Sequence, residues 1–92
     1  MEEMQTLKKL IIQESRRKLE ENDVTDMADL FYDLGFDSIT SMSLVVRLEM
    51  AFGIVIDDDD MSLDFMKTVD SLYRYVLTKL GKERGKINGV EQ

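Results

Sequence analysis

Asp33-Leu34-Gly35-Phe36-Asp37-Ser38-Ile39-Thr40-Ser41-Met42-Ser43-Leu44-Val45-Val46-Arg47-Leu48-Glu49-Met50-Ala51-Phe52-Gly53 is the stretch that decides the fold. Leu44 or Val45, Leu48 and Phe52 recur at helical spacing and form a core-facing stripe. Ile39, Met42 or Ser43, Val46 and Met50 form a second apolar stripe at the same spacing, rotated around the helix. Asp37 is suited to cap the helix, because its carboxylate can accept a hydrogen bond from a first-turn amide. Gly35 supplies a backbone conformation closed to other residues just before the cap, and Gly53 ends the run. The spacing therefore predicts a helix from Ser38 to about Phe52, with a serine hydroxyl at its positive end.

Upstream, Met4, Leu7, Leu10 or Ile11, and more weakly Leu19 recur at helical intervals, with Ile12 adding to the apolar side. A helix from about Glu3 to Lys18 is expected, its basic Arg16, Arg17 and Lys18 suiting the C-terminal end. Residues 20–37 read as a long ordered loop, pinned by Val24, Met27, Leu30, Phe31 and Leu34; loops of that length in a compact domain tend to be functional. Downstream, Ile54, Val55 and Ile56 make a short apolar crossing too brief to establish a strand. Asp57 to Asp60 offer caps for a short helix including Met61, Leu63 and Phe65. Thr68 caps a last helix with Val69, Leu72, Tyr73, Val76 and Leu80 on its buried face, and Gly81 stops it. The expected fold is all-α: three main helices plus a short third helix, packed by the long loop between helices one and two. Residues 1–80 are expected to form one domain, and 81–92, with Ile87 and Val90 as the only aliphatics, a flexible tail.

Ninety-two residues suffice for one small core and not for a deep catalytic cleft. The chain has no cysteine, which excludes disulfides and thiolate metal sites. It has no histidine, which removes the commonest general base near neutral pH. No metal site is assigned: the consecutive Asp57-Asp58-Asp59-Asp60 lack the alternating ligand spacing of a calcium loop. Net charge is −7, and Glu20, Glu21, Asp23, Asp26, Asp29, Asp33 and Asp37 follow one another without an intervening base. Such a surface repels phosphate backbones, so no nucleic acid is expected, and a basic protein patch is its natural complement. No apolar stretch approaches a membrane span and no signal-peptide pattern is seen, so a cytoplasmic location is expected.

Ser38 has three physical readings. It is a member of a capping segment, or a nucleophile without an imidazole to activate it, or a site of modification. In the last case a phosphodiester on its oxygen would lie near the first-turn amides and the positive helix end, opposed locally by neighbouring acids.

The run Asp33-Leu34-Gly35-Phe36-Asp37-Ser38-Ile39 resembles the attachment motif of the acyl carrier proteins, the phosphopantetheine-binding family that includes peptidyl and aryl carriers. Val24-Thr25, Leu30, Leu44, Val45, Leu48, Glu49, Phe52, the 54–56 crossing and Thr68-Val69 extend the likeness over roughly residues 4 to 80. The resemblance implies an acyl-carrier-like bundle that is not an enzyme. Ser38 would receive 4′-phosphopantetheine covalently from coenzyme A through a magnesium-dependent phosphopantetheinyl transferase, with Asp37 contributing to recognition by that enzyme. The thiol of the arm would hold an acyl or aminoacyl group as a thioester, which suits a chain without cysteine. Further partners implied are a loading enzyme and a pathway synthase or transferase, acting on a monomeric carrier.

The chain departs from fatty-acid carriers where those proteins place glutamates on helix two. Here Ser43, Arg47, Met50 and Ala51 leave Glu49 as the only acid of that helix. Partner contact is therefore expected at Ile39, Met42, Val46 and Met50, with Asp33 in the acidic loop, and a dedicated pathway is favoured over housekeeping fatty-acid synthesis. About two extra residues between Asp57 and Thr68, and Asp57 in place of a common proline, point to a differently shaped helix-three region. Met61, Leu63, Phe65 and Met66 either pack that region or line a groove for cargo. The competing class is a non-enzymatic helical interaction or adaptor protein with an acidic surface.

Overall fold

The computed structural model describes residues 2–57 and 64–81. Among these residues three α-helices dominate: α1 over Glu2–Glu14, α2 over Ser38–Phe52 and α3 over Val69–Leu80. Single 3₁₀ turns stand at Glu21–Asp23 and Asp64–Met66. Among the described residues there is no strand, only one isolated antiparallel bridge between Asp29 and Thr68. The chain is thus all-α, as the periodicity predicts. The expected short third helix is represented by the Asp64–Met66 turn; Met61 and Leu63, the Asp58–Asp60 caps and the 82–92 tail lie outside the described residues.

The core joins one stripe from each helix. Leu7 and Ile11 of α1, Leu44 and Leu48 of α2, and Leu72 and Val76 of α3 are fully buried against one another. Val69 joins them, whereas Phe52, Tyr73 and Leu80 are only half-buried at the edge. Both predicted helix stops hold: Gly53 and Gly81 take left-handed conformations that L side chains rarely adopt. At the start of α3, the Ser71 amide donates to Thr68 Oγ1 at 3.1 Å and the Thr68 amide donates back to Ser71 Oγ at 3.0 Å. The Ser71 hydroxyl also donates to the Phe65 carbonyl at 2.8 Å, which ties the 64–66 turn to the helix it precedes. Phe65 then stacks on Tyr75 with ring centroids 4.0 Å apart.

Two expectations need correction. The first helix stops at Glu14, four residues short of Lys18, because the Ser15 hydroxyl accepts the Arg17 amide at 3.0 Å and turns the chain. Arg16, Arg17 and Lys18 therefore do not occupy the last turn of α1; Leu19 beyond them still reaches the core. In the long loop, Val24, Leu30 and Leu34 are buried as expected, but Met27 and Phe31 are exposed, and Ala28 and Phe36 take the inward positions.

The loop is ordered by hydrogen bonds as much as by burial. The Leu30 amide donates to Lys67 O, the Val69 amide to Ala28 O, and the Asp70 amide to Asp26 O at 2.7 Å, stitching the loop onto the start of α3. Its acids cap its own turns. Asp29 Oδ1 accepts the Phe31 and Tyr32 amides, Asp33 Oδ2 accepts the Asp29 amide, and Asp23 Oδ2 accepts the Glu20 amide.

Candidate functional site

The Phe36 amide donates to Leu30 O and buries the Phe36 ring, so the chain arrives at α2 from a fixed direction. Gly35, with φ of +77°, makes that turn; a Cβ there would stand 2.5 Å from Cδ of Arg17, whose stem lies across it. Arg17 Nη1 donates to the Asp33 carbonyl at 2.8 Å. The segment that precedes the serine is thus strapped to the turn that follows α1, a contact for which helical periodicity gives no signal.

Asp37 is the N-cap the sequence predicts. Its Oδ1 accepts the Thr40 amide at 2.8 Å, and Thr40 Oγ1 accepts the Asp37 amide at 2.8 Å. The Thr40 hydroxyl also lies 2.8 Å from Asp37 Oδ1, close enough to donate to it. The Thr40 amide and then its hydroxyl hold the Asp37 carboxyl below its ordinary range; slight desolvation opposes this, and Arg16 adds a smaller pull downward. Arg16 Nη1 lies 3.6 Å from Asp37 Oδ2, the oxygen that Thr40 leaves free. Asp37 is consequently ionised at neutral pH, with its charge shared between a helix start and a guanidinium.

Ser38 follows as the first helical residue and is exposed. With no histidine or cysteine in the chain, its hydroxyl has no strong base to turn it into a catalytic nucleophile. No group of metal-ligating side chains occurs among the described residues. An accessible alcohol on a rigid helix start, lacking an activating base of its own, fits a residue modified by another enzyme; the residues present therefore fit a covalently attached phosphodiester arm. One turn deeper, Ser41 Oγ is buried with no hydrogen-bond partner among the described residues, an arrangement that costs about 1–3 kcal/mol.

The rest of the predicted stripe is on the surface. Ile39, Met42, Val46 and Met50 are 66%, 52%, 50% and 74% exposed, so none belongs to the core. A shallow groove lined by Glu14, Ser43, Val46, Arg47 and Met50 runs beside it. Two charged residues of α2, Arg47 and Glu49, are engaged within the fold. Arg47 Nε donates to Glu14 Oε2 at 3.0 Å, and Glu49 Oε2 accepts the Ile56 amide at 2.8 Å. The single acid of α2 thus holds the 54–56 crossing, in which Ile54 and Ile56 point inward and Val55 outward. Asp33 lies in the loop before the serine, its carboxylate engaged by the Asp29 amide. Of the four side chains around the short third-helix region, Phe65 and Met66 are buried, and Met61 and Leu63 lie outside the described residues. No helix among the described residues is long and apolar enough to cross a membrane.

Residues 5–76 match the sequence model of the family described as "Phosphopantetheine attachment site". The chain is 40% identical over 63 residues to an acyl carrier protein of Thermotoga maritima, covering 68% of this chain and 75% of that protein. It is 39% identical over 71 residues to an acyl carrier protein of Desulforapulum autotrophicum, covering 77% of this chain and 90% of that protein.

Proposed function

The chain belongs to the phosphopantetheine-binding acyl carrier family, whose members are carriers and not enzymes, and on that premise we propose that Ser38 bears the arm. Membership brings with it a covalently attached 4′-phosphopantetheine group. The observation that carries the assignment is the position of Ser38. It is exposed, directly follows the capping Asp37, and lies inside the matched segment. In the attachment step a bond forms between Ser38 Oγ and the pantetheine-side phosphorus of coenzyme A. The pyrophosphate linkage breaks, the nucleotide half departs, and the serine proton passes to a base of the phosphopantetheinyl transferase. The bound group supplies a thiol, and hence thioester chemistry, to a chain that has no cysteine.

The protein's own contribution is presentation. Arg17, Gly35 and the Asp37–Thr40 pair hold the serine at a fixed helix start, while the outer face of α2 begins one residue later. We read Ile39, Met42, Val46 and Met50 as the contact surface for the loading and acyl-transferring partners, with Asp33 and Asp37 at its loop end. A dedicated biosynthetic pathway, rather than housekeeping fatty-acid synthesis, is supported by the nature of that face. It is apolar, and its one carboxylate, Glu49, is committed to the Ile56 amide. Residues 1–80 serve as a single carrier unit in this reading. It acts in the cytoplasm, where coenzyme A supplies the arm.

Incubation with a broad-specificity transferase, coenzyme A and magnesium should add one phosphopantetheine group, located on Ser38 by peptide mapping and absent in Ser38→Ala. A folded protein that several such transferases leave unmodified, or modify at another residue, would overturn the assignment.

A further inference from the structure

We infer that Arg16 is the counter-ion of the arm's phosphate, exchanging its contact with Asp37 for one with the phosphodiester once Ser38 is modified; this rests on the assignment of Ser38 above. The start of α2 is a poorer anion site than its dipole suggests, because its capping residue already uses it. The Thr40 amide donates to Asp37 Oδ1, the Ser41 amide donates to the Asp37 carbonyl, and the Ile39 amide contributes weakly to the same carboxylate. A phosphodiester on the next residue would add a second negative charge beside an ionised Asp37. Like charges so close repel unless a cation lies between them.

Among the described residues, Arg16 and Arg17 reach this end of the molecule, and their geometry separates their roles. Arg17 is a strut, with its Nη1 on the Asp33 carbonyl at 2.8 Å and its stem across Gly35, so moving it would loosen the loop. Arg16 is held by one 3.6 Å ion pair and its side chain is 61% exposed. Consecutive Cα atoms are about 3.8 Å apart, so an arginine that touches Asp37 needs only a small swing to meet a group on Ser38. A guanidinium also suits the task chemically. Its planar array of donors can serve a phosphate oxygen and a carboxylate oxygen together, which an ammonium does less well. Arg16 is thus a positioning residue for the root of the arm. It acts after modification and takes no part in the chemistry at the thiol.

The test compares unmodified and phosphopantetheinylated protein by mass spectrometry and NMR, with Arg16→Gln and Arg16→Lys alongside. Conversion should shift the Arg16 Nε–Hε resonance of the parent and slow its exchange with water. The ³¹P resonance of modified Arg16→Gln should move toward that of the urea-unfolded modified chain, with Arg16→Lys in between. Raising the salt concentration should move the parent in the same direction. If mass spectrometry finds no arm on Ser38, the attachment reading fails and the inference fails with it. If the arm is present but the Arg16 resonance is unchanged and the parent and Arg16→Gln share one ³¹P shift, only the role of Arg16 is overturned. The parent comparison decides the matter even if the glutamine variant folds poorly.

Discussion

The two apolar stripes of α2 are alike in spacing and hydrophobicity, yet one is the centre of the molecule and the other is its surface. Leu44 and Leu48 are fully buried in the core that also holds residues of α1 and α3, while Ile39, Met42, Val46 and Met50 on the same helix stay exposed. Apolar periodicity measures how strongly a face avoids water; it does not say which neighbour will cover it. Here the neighbours are limited. Two other helices and a loop share the core with the inner stripe, and the outer one is left exposed from the residue after Ser38 onward. That exposure is what the proposed partner contact at Ile39, Met42, Val46 and Met50 rests on.

That contrast can be attacked by mutation, beginning on the inner side. Leu48→Ala should lose about 2–5 kcal/mol of unfolding free energy in a denaturant titration. An effect below about 1 kcal/mol would mean that the inner stripe is not the core it looks to be.

The border between the stripes comes next. Glu49→Ala should cost about 1–3 kcal/mol, since it leaves the Ile56 amide of the crossing without its charged acceptor. Amide exchange at Ile56 should quicken in the same variant. Unchanged exchange there would show that the glutamate is free to meet a partner after all.

The smallest stability effect is expected on the outer stripe, where Val46→Glu and Met50→Glu should each stay within about 0.5 kcal/mol of the parent. Acyl transfer by the cognate pathway enzyme should nonetheless fall on the order of tenfold, as for residues central to an interface. A stability loss matching that of Leu48→Ala would make this stripe core. Unimpaired transfer in both variants would move the docking surface to the 20–37 loop.

The loop shows why parts of the site were illegible. Its burial at Val24, Leu30 and Leu34 follows from their apolar character, but Met27 and Phe31 are as apolar and remain outside. Their positions are fixed by Asp29 and Asp33 accepting backbone amides within the turn, and by backbone bonds to Lys67 and Val69. Those bonds follow no period. The acids of the loop looked like a free anionic surface, yet Asp23, Asp29 and Asp33 accept backbone amides, while Asp26 pairs with Lys8 at 3.1 Å. A signal for the arginine strap did exist in the sequence: Arg16 and Arg17 stand just before the acidic run. As helix residues they would complement its dipole; the Ser15 turn instead sends Arg17 to the carbonyl of Asp33 and Arg16 to the carboxylate of Asp37.

By itself the sequence determined the three helices, their caps at Asp37 and Thr68, their stops at Gly53 and Gly81, and the serine at a helix start. These are local properties, settled by spacing, capping chemistry and glycine's freedom within a few residues of each position. The family likeness was legible for the same reason, since its motif is one continuous run. The tertiary structure decided which stripe of α2 is covered, that Glu49 holds Ile56, that Arg47 pairs with Glu14, and that Arg17 and Arg16 flank the approach to Ser38. Each of these joins groups from separate elements or across a turn. Such contacts depend on how the helices pack and where the chain bends, and no periodicity within one segment encodes them.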